Sequence, residues 1–165
     1  MELGVNKLEQ FNTQRSLKKD DAKSSSVGEP ITGFNNQHSR ANKLTRVSII
    51  RAGIPYESIE VISKRLNNSV KSVLEIVGIP QTTYNKKKSK HSLLDSRNTE
   101  LVILINELID FGMDVFNNEQ EKFQRWLKKP NISLGGNSPE SMLDTFTGIN
   151  EVKFSLNRLE FGNLA

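Results

Sequence analysis

VKSVLEIVGIPQTTYNKKKSK, residues 70–90, is the stretch whose reading decides the fold. Val70, Val73, Leu74 and Val77 recur at three- and four-residue spacing, which marks one apolar face of a short helix. Gly78 supplies a left-handed backbone without a Cβ clash, so the chain can turn there. Ile79 then plugs the angle, and Pro80 begins a second short helix, where its missing N–H costs nothing. Helix, glycine turn, helix is the helix-turn-helix plan.

Upstream, Leu44, Val47, Ile50 and Ile54 repeat at helical spacing, and Gly53-Ile54-Pro55 ends that helix and opens the next. Ile59, Ile62 and Leu66 mark the second stripe, closed by Asn67-Asn68, with Ser69 as a new N-cap. Residues 1–42 contain Ser24-Ser25-Ser26, Gly28, Pro30 and Gly33 among scattered apolar residues, too few to offset the entropy of ordering. Leu3, Val5, Leu8 and Phe11 amount to one helical turn there at most.

Downstream, Ser96 is expected to cap a long helix reaching Phe116 that is apolar on most of its surface and therefore central. Asn118 and Glu121 are spaced as a capping box for a helix through Trp126 and Leu127, with Trp126 as a core anchor. Pro130-Asn131 and Leu134-Gly135-Gly136-Asn137 break the pattern. Ser138-Pro139-Glu140 has the order of a helix start, and Gly148 is expected to close that helix. Val152, Leu156 and Leu159 form the last stripe. No stretch alternates with period two. The chain reads as all-α: an arm over 1–42 expected to be disordered, a helix-turn-helix bundle over 43–95 and a small helical domain over 96–165.

Charge divides along the same line. Residues 1–100 hold seventeen Lys/Arg against ten Asp/Glu, a net +7, whereas residues 101–165 carry a net −3. Only the basic half suits a polyanion. In a helix-turn-helix, Gln81, Thr82 and Thr83 stand at the start of the recognition helix, where side chains meet base edges in a major groove. Asn85, Lys86, Lys87, Lys88 and Lys90 are suited to phosphates. The plainer alternative weighs equally, since helix–glycine–helix turns are common in helical proteins and a lysine run is most often a solvated helix end.

Other classes fit poorly. With no cysteine, disulfides, thiol nucleophiles and cysteine-ligated metals are excluded. The two histidines, His38 and His91, have no carboxylate at ligand or triad spacing, so no catalytic residue, metal or cofactor is expected. Gly135-Gly136 lacks the Lys-Ser/Thr that follows a phosphate-binding loop. No secretory h-region opens the chain. The apolar run from Leu101 to Phe116 is broken by Asn106, Glu107 and Asp110, and is shorter than the roughly 20 apolar residues of a membrane span. A cytoplasmic protein is the expectation.

Ordered landmarks over residues 43–165 resemble the Xre/MbcA/ParS antitoxins that pair with RES-domain toxins. They are Arg51-Ala52-Gly53-Ile54-Pro55, Val77-Gly78-Ile79-Pro80 with Thr83, Val115-Phe116, Trp126-Leu127, Pro130-Asn131, Leu134-Gly135-Gly136 and Pro139. Leu143 to Thr145, Gly148, Arg158 and Phe161-Gly162 complete the series. No single landmark is specific; their order is. Two features depart from the pattern: Tyr84 stands where leucine is common, and lysines replace some arginines after it.

The resemblance implies a non-enzymatic antitoxin with two jobs. Its helix-turn-helix represses its own operon on double-stranded operator DNA, typically as a homodimer. Its C-terminal domain binds a cognate RES toxin, an enzyme that destroys NAD, and the terminal segment obstructs the toxin's active-site cleft. Arg158, Glu160, Phe161 and Gly162 are then the expected toxin-binding residues, since an aromatic with an arginine is the usual make-up of an interface hot spot. The blander alternative is a frayed helix end. A free-standing helix-turn-helix regulator without a toxin, or a helical protein-binding adaptor with an incidental lysine run, would share the same residues.

Overall fold

The computed structural model describes residues 43–162. The arm over 1–42, with its Leu3 to Phe11 turn and His38, lies outside them. Among the described residues, seven α-helices follow one another: α1 (Lys43–Ala52), α2 (Ser58–Leu66), α3 (Val70–Val77), α4 (Gln81–Lys88), α5 (Ser96–Val115), α6 (Gln120–Lys128) and α7 (Phe146–Glu160). Two 3-10 turns, Ile132–Leu134 and Pro139–Met142, lie between α6 and α7. Among the described residues there is no strand, so the all-α expectation holds. A lone antiparallel bridge joins Pro55 to Leu93, where Leu94 N donates to Ile54 O at 2.8 Å.

The core is organised around α5. Leu101, Val102, Ile103, Ile105, Leu108 and Ile109 are all buried, covering most of the helix circumference. Each such side chain contributes about 1.5–3 kcal/mol relative to exposure. Helix α5 packs against α1, α2, α3, α6 and α7. The polar residues that interrupt its apolar run have a packing role. Arg65 of α2 donates to Asn106 and ion-pairs with Asp110, while Arg46 of α1 meets Glu107 at 2.7 Å. No helix among the described residues is long and apolar enough to cross a membrane.

Local chemistry explains most helix ends. Ser69 accepts from Ser72 N at 3.1 Å and starts α3. Gly78 ends it at φ 73°, and Ile79 N reaches back to Leu74 O at 2.9 Å. Ile79 is buried, as the plug role requires. Pro80 takes the N-cap position of α4 instead of its first turn.

Several expected elements differ. Asp95, not Ser96, caps α5, because its carboxylate accepts from Asn98 N at 2.8 Å. No capping box forms at Asn118; Asn117 and Asn118 both take left-handed backbone, at φ 53° and 62°, and α6 starts two residues later. Pro55 lies before α2, separated from it by a turn at Tyr56 and Glu57. Trp126 is half-buried, and it is Phe123 beneath it that fills the core, stacked at 6.2 Å.

The helix expected from Ser138 to Gly148 is a single 3-10 turn. Gly148 lies instead in the first turn of α7, where its N–H donates to the Thr145 cap at 3.0 Å. A Cβ there would fall 2.0 Å from Met142 O, so the glycine permits close backbone approach and does not stop a helix. Ile149, Val152 and Leu156 form the buried stripe of α7, while Leu159 is half exposed because the last turn extends past the core. Leu44 and Val47 are likewise exposed, and α1 meets the core through Ile49 and Ile50.

Candidate functional site

Two exposed surfaces carry the sequence-derived candidates. On α4, Tyr84 is the one buried side chain. Its ring lies 6.2 Å from that of Tyr56, and its hydroxyl donates to Glu60 at 3.1 Å. Anchored by that residue, α4 presents Gln81, Thr82, Asn85, Lys86 and Lys87 to solvent, with Thr83 half-buried. Gln81 donates to Asn85 at 3.0 Å along the outer face. Lys90 follows in the turn after the helix. With Thr83, Lys86 and Lys87 it lines an open basic hollow of about 400 Å³. The chemistry available there is anion binding with amide and hydroxyl groups beside it.

Lys88 is set apart from the other lysines. Its ammonium is bound to Glu60 and lies 5.8 Å from the centre of the Tyr84 ring, which ties the end of α4 to α2. The Lys88 hydrogen bond holds the Glu60 carboxyl below its ordinary value, against a smaller opposing push from burial. Glu60 in turn raises the Lys88 ammonium. Burial raises the Tyr84 phenol, with the Glu60 charge adding to it. His91 is exposed, takes left-handed backbone at φ 49° and faces Glu57 at 3.3 Å. Among the described residues no cluster of His, Asp or Glu is arranged to hold a metal.

The second surface is the end of α7. Asn131 and Ser133 both bond the buried Ser155 hydroxyl, at 3.2 and 3.0 Å, fixing mid-helix to the Asn131–Asn137 turn. Beyond Leu156 the helix has no core to cover. Arg158, Glu160 and Gly162 are exposed, Phe161 is 71% exposed and Leu159 50%. The four expected residues are therefore together on one projecting turn. Phe154, 57% exposed and two turns before Phe161, was missed by the sequence reading. Its signal was the seven-residue spacing to Phe161, on the face opposite Val152 and Leu156.

Most remaining landmarks serve the fold around that turn. Leu134 and Leu143 are buried, Thr145 caps α7, and Gly135 and Gly136 take left-handed backbone at φ 65° and 83°. Residues 112–162 match the family model described as antitoxin Xre/MbcA/ParS C-terminal toxin-binding domain. That segment is similar to the family's toxin-binding domain.

The relatives agree. An antitoxin Xre of Photorhabdus laumondii is 28% identical over 115 residues, covering 70% of this chain and 78% of the relative. An antitoxin Xre of Yersinia enterocolitica is 27% identical over 116 residues, with the same shares of 70% and 78%. A protein named Prs ADP-ribosylating antitoxin, from a Sphingobium species, is 24% identical over 134 residues, covering 76% of this chain and 84% of its own length. The matched family segment takes in Gly112, all of α6 and all of α7, including the projecting turn. The resemblance to Xre-type antitoxins expected from the ordered landmarks is confirmed.

Proposed function

We propose that the protein is a type II antitoxin that binds and inhibits a cognate RES-domain, NAD-degrading toxin and represses its own operon. The observation that carries the reading is the last turn of α7, which presents Arg158, Glu160, Phe161 and Gly162 free of the core inside the matched domain. A projecting aromatic beside a cation is the kind of group that fills a concave, desolvated cleft. In this reading Phe161 enters the toxin's active-site cleft, Arg158 and Glu160 pair at its rim, and Gly162, at φ 62°, turns the chain inside it. The name of the Sphingobium relative fits the same chemistry, because ADP-ribosyl transfer consumes NAD.

The DNA half of the proposal rests on α3, the Gly78 turn and α4 acting as a helix-turn-helix. Gln81, Thr82 and Thr83 read base edges, and Asn85, Lys86, Lys87 and Lys90 hold phosphates. Lys88 contributes charge at the same end while bracing α4 on Glu60. A homodimer would place two such helices on one operator. Residues 43–95 and 96–165 are then functional halves that share α5 as a common support.

Point variants of the projecting turn test the toxin half. Phe161→Ala and Arg158→Ala are each expected to weaken neutralisation of the co-expressed toxin by about 2 kcal/mol or more in binding, the hot-spot range, without lowering thermal stability. Wild-type neutralisation by both variants would remove the plug from the account.

A further inference from the structure

The outer face of α7 carries a pattern that toxin capture does not require. Thr147, Glu151, Phe154, Arg158 and Phe161 follow one another at spacings of four, three, four and three, so they lie along a single line. That line faces away from Val152 and Leu156, and all five residues are exposed. Neither Glu151 nor Arg158 has an ion-pair partner among the described residues. They cannot pair with each other, since seven residues of helix separate them by about 10 Å of rise.

We infer that this line is a docking surface for a second copy of the same chain, paired antiparallel through α7. A two-fold axis at Phe154 sets Phe154 against its counterpart, Glu151 against Arg158 of the other copy, and Thr147 against the other Phe161. The ion pair then forms twice, once on each side of the axis, as an isologous interface demands. Parallel pairing would oppose Glu151 to Glu151 and Arg158 to Arg158, and like charges in register select against it. The charges thus choose both the occupant and its direction.

The surface is short, so the dimer is a weak one that forms and dissolves readily. It also covers Arg158 and Phe161. Resting on the toxin reading above, self-pairing and toxin capture then exclude each other, and free antitoxin hides its inhibitory turn until a toxin competes for it. The self-pairing itself stands without that reading.

Sedimentation equilibrium of the full chain alone, with no toxin present, tests it. The wild type is expected to dimerise, and Glu151→Arg and Arg158→Glu are each expected to weaken the dimer by about tenfold or more. The double swap, Glu151→Arg with Arg158→Glu, restores opposite charges across the axis and should recover dimerisation. Both positions are exposed, and circular dichroism will confirm that each variant folds. A monomeric wild type, single reversals that leave the dimer intact, or a double swap no better than the singles would each overturn the inference. Because no toxin enters this experiment, its failure leaves the neutralisation result untouched, and a failed plug leaves this result standing.

Discussion

At Gly148 one missing carbon decides how α7 begins. The Thr145 cap and the Met142 carbonyl both close on that residue, and a methyl group would fall 2.0 Å from the carbonyl oxygen. Gly148→Ala is therefore expected to destabilise the protein by about 1–3 kcal/mol, the range for overpacking a tight site, as a lowered midpoint in thermal denaturation. From the sequence this glycine looked like a helix stop, because what makes it necessary is a carbonyl six residues away that only the fold brings near. Gly78 was readable for the opposite reason: its left-handed turn and the bond from Ile79 to Leu74 are local. Glu60 offers a second test at this scale. Its folded value lies below its ordinary 4.5, so its stabilising effect is complete above that value and fades as pH falls through the lower one. Comparing Glu60→Gln with wild type by urea denaturation should show a small deficit at neutral pH that disappears in acid. The deficit is small because water screens both side chains of the Lys88 pair.

Among the elements, α4 and α7 show two ways a short helix is held with one side left free. Tyr84 alone anchors α4, and the Glu60–Lys88 pair steadies its end, leaving three lysines facing solvent and the basic hollow. Lys86→Ala, Lys87→Ala and Lys90→Ala are each expected to weaken operator binding evenly across sequences. Each should lower the slope of log affinity against log salt by about one unit, as titrations at several salt concentrations will show. A slope unchanged in all three would place the phosphates elsewhere. Periodicity identified the apolar stripes but not where the core stops. Leu159 continues the line of Val152 and Leu156 in register, yet it lies past the last packed neighbour and is exposed. Phe154 was overlooked because an aromatic in a helix is ordinarily a core residue. Asn106, Glu107 and Asp110 were legible only as interruptions, since Arg65 and Arg46 that receive them come from helices about forty to sixty residues earlier.

Across the whole described region, the two halves are joined by more than α5. Asn68 bonds Glu140, Gln124 donates to Arg65 O at 3.4 Å and Lys128 to Asn67 O at 3.5 Å, so the α2–α3 turn rests on α6 and the segment before α7. The helical class and the division into a basic and an acidic half were visible in the sequence, as were the ordered landmarks. The sharing of one central helix was not, because packing partners are not written in periodicity. The projecting turn, with Phe161 71% exposed, covers no core, and the toxin half of the proposal stands on it. Its most direct test is titration of purified toxin with a protein ending at Asn157, following NAD consumption beside the full chain. The account predicts that inhibition falls about a hundredfold or more while helicity and operator binding stay as they were. Full inhibition by the shortened protein would contradict it.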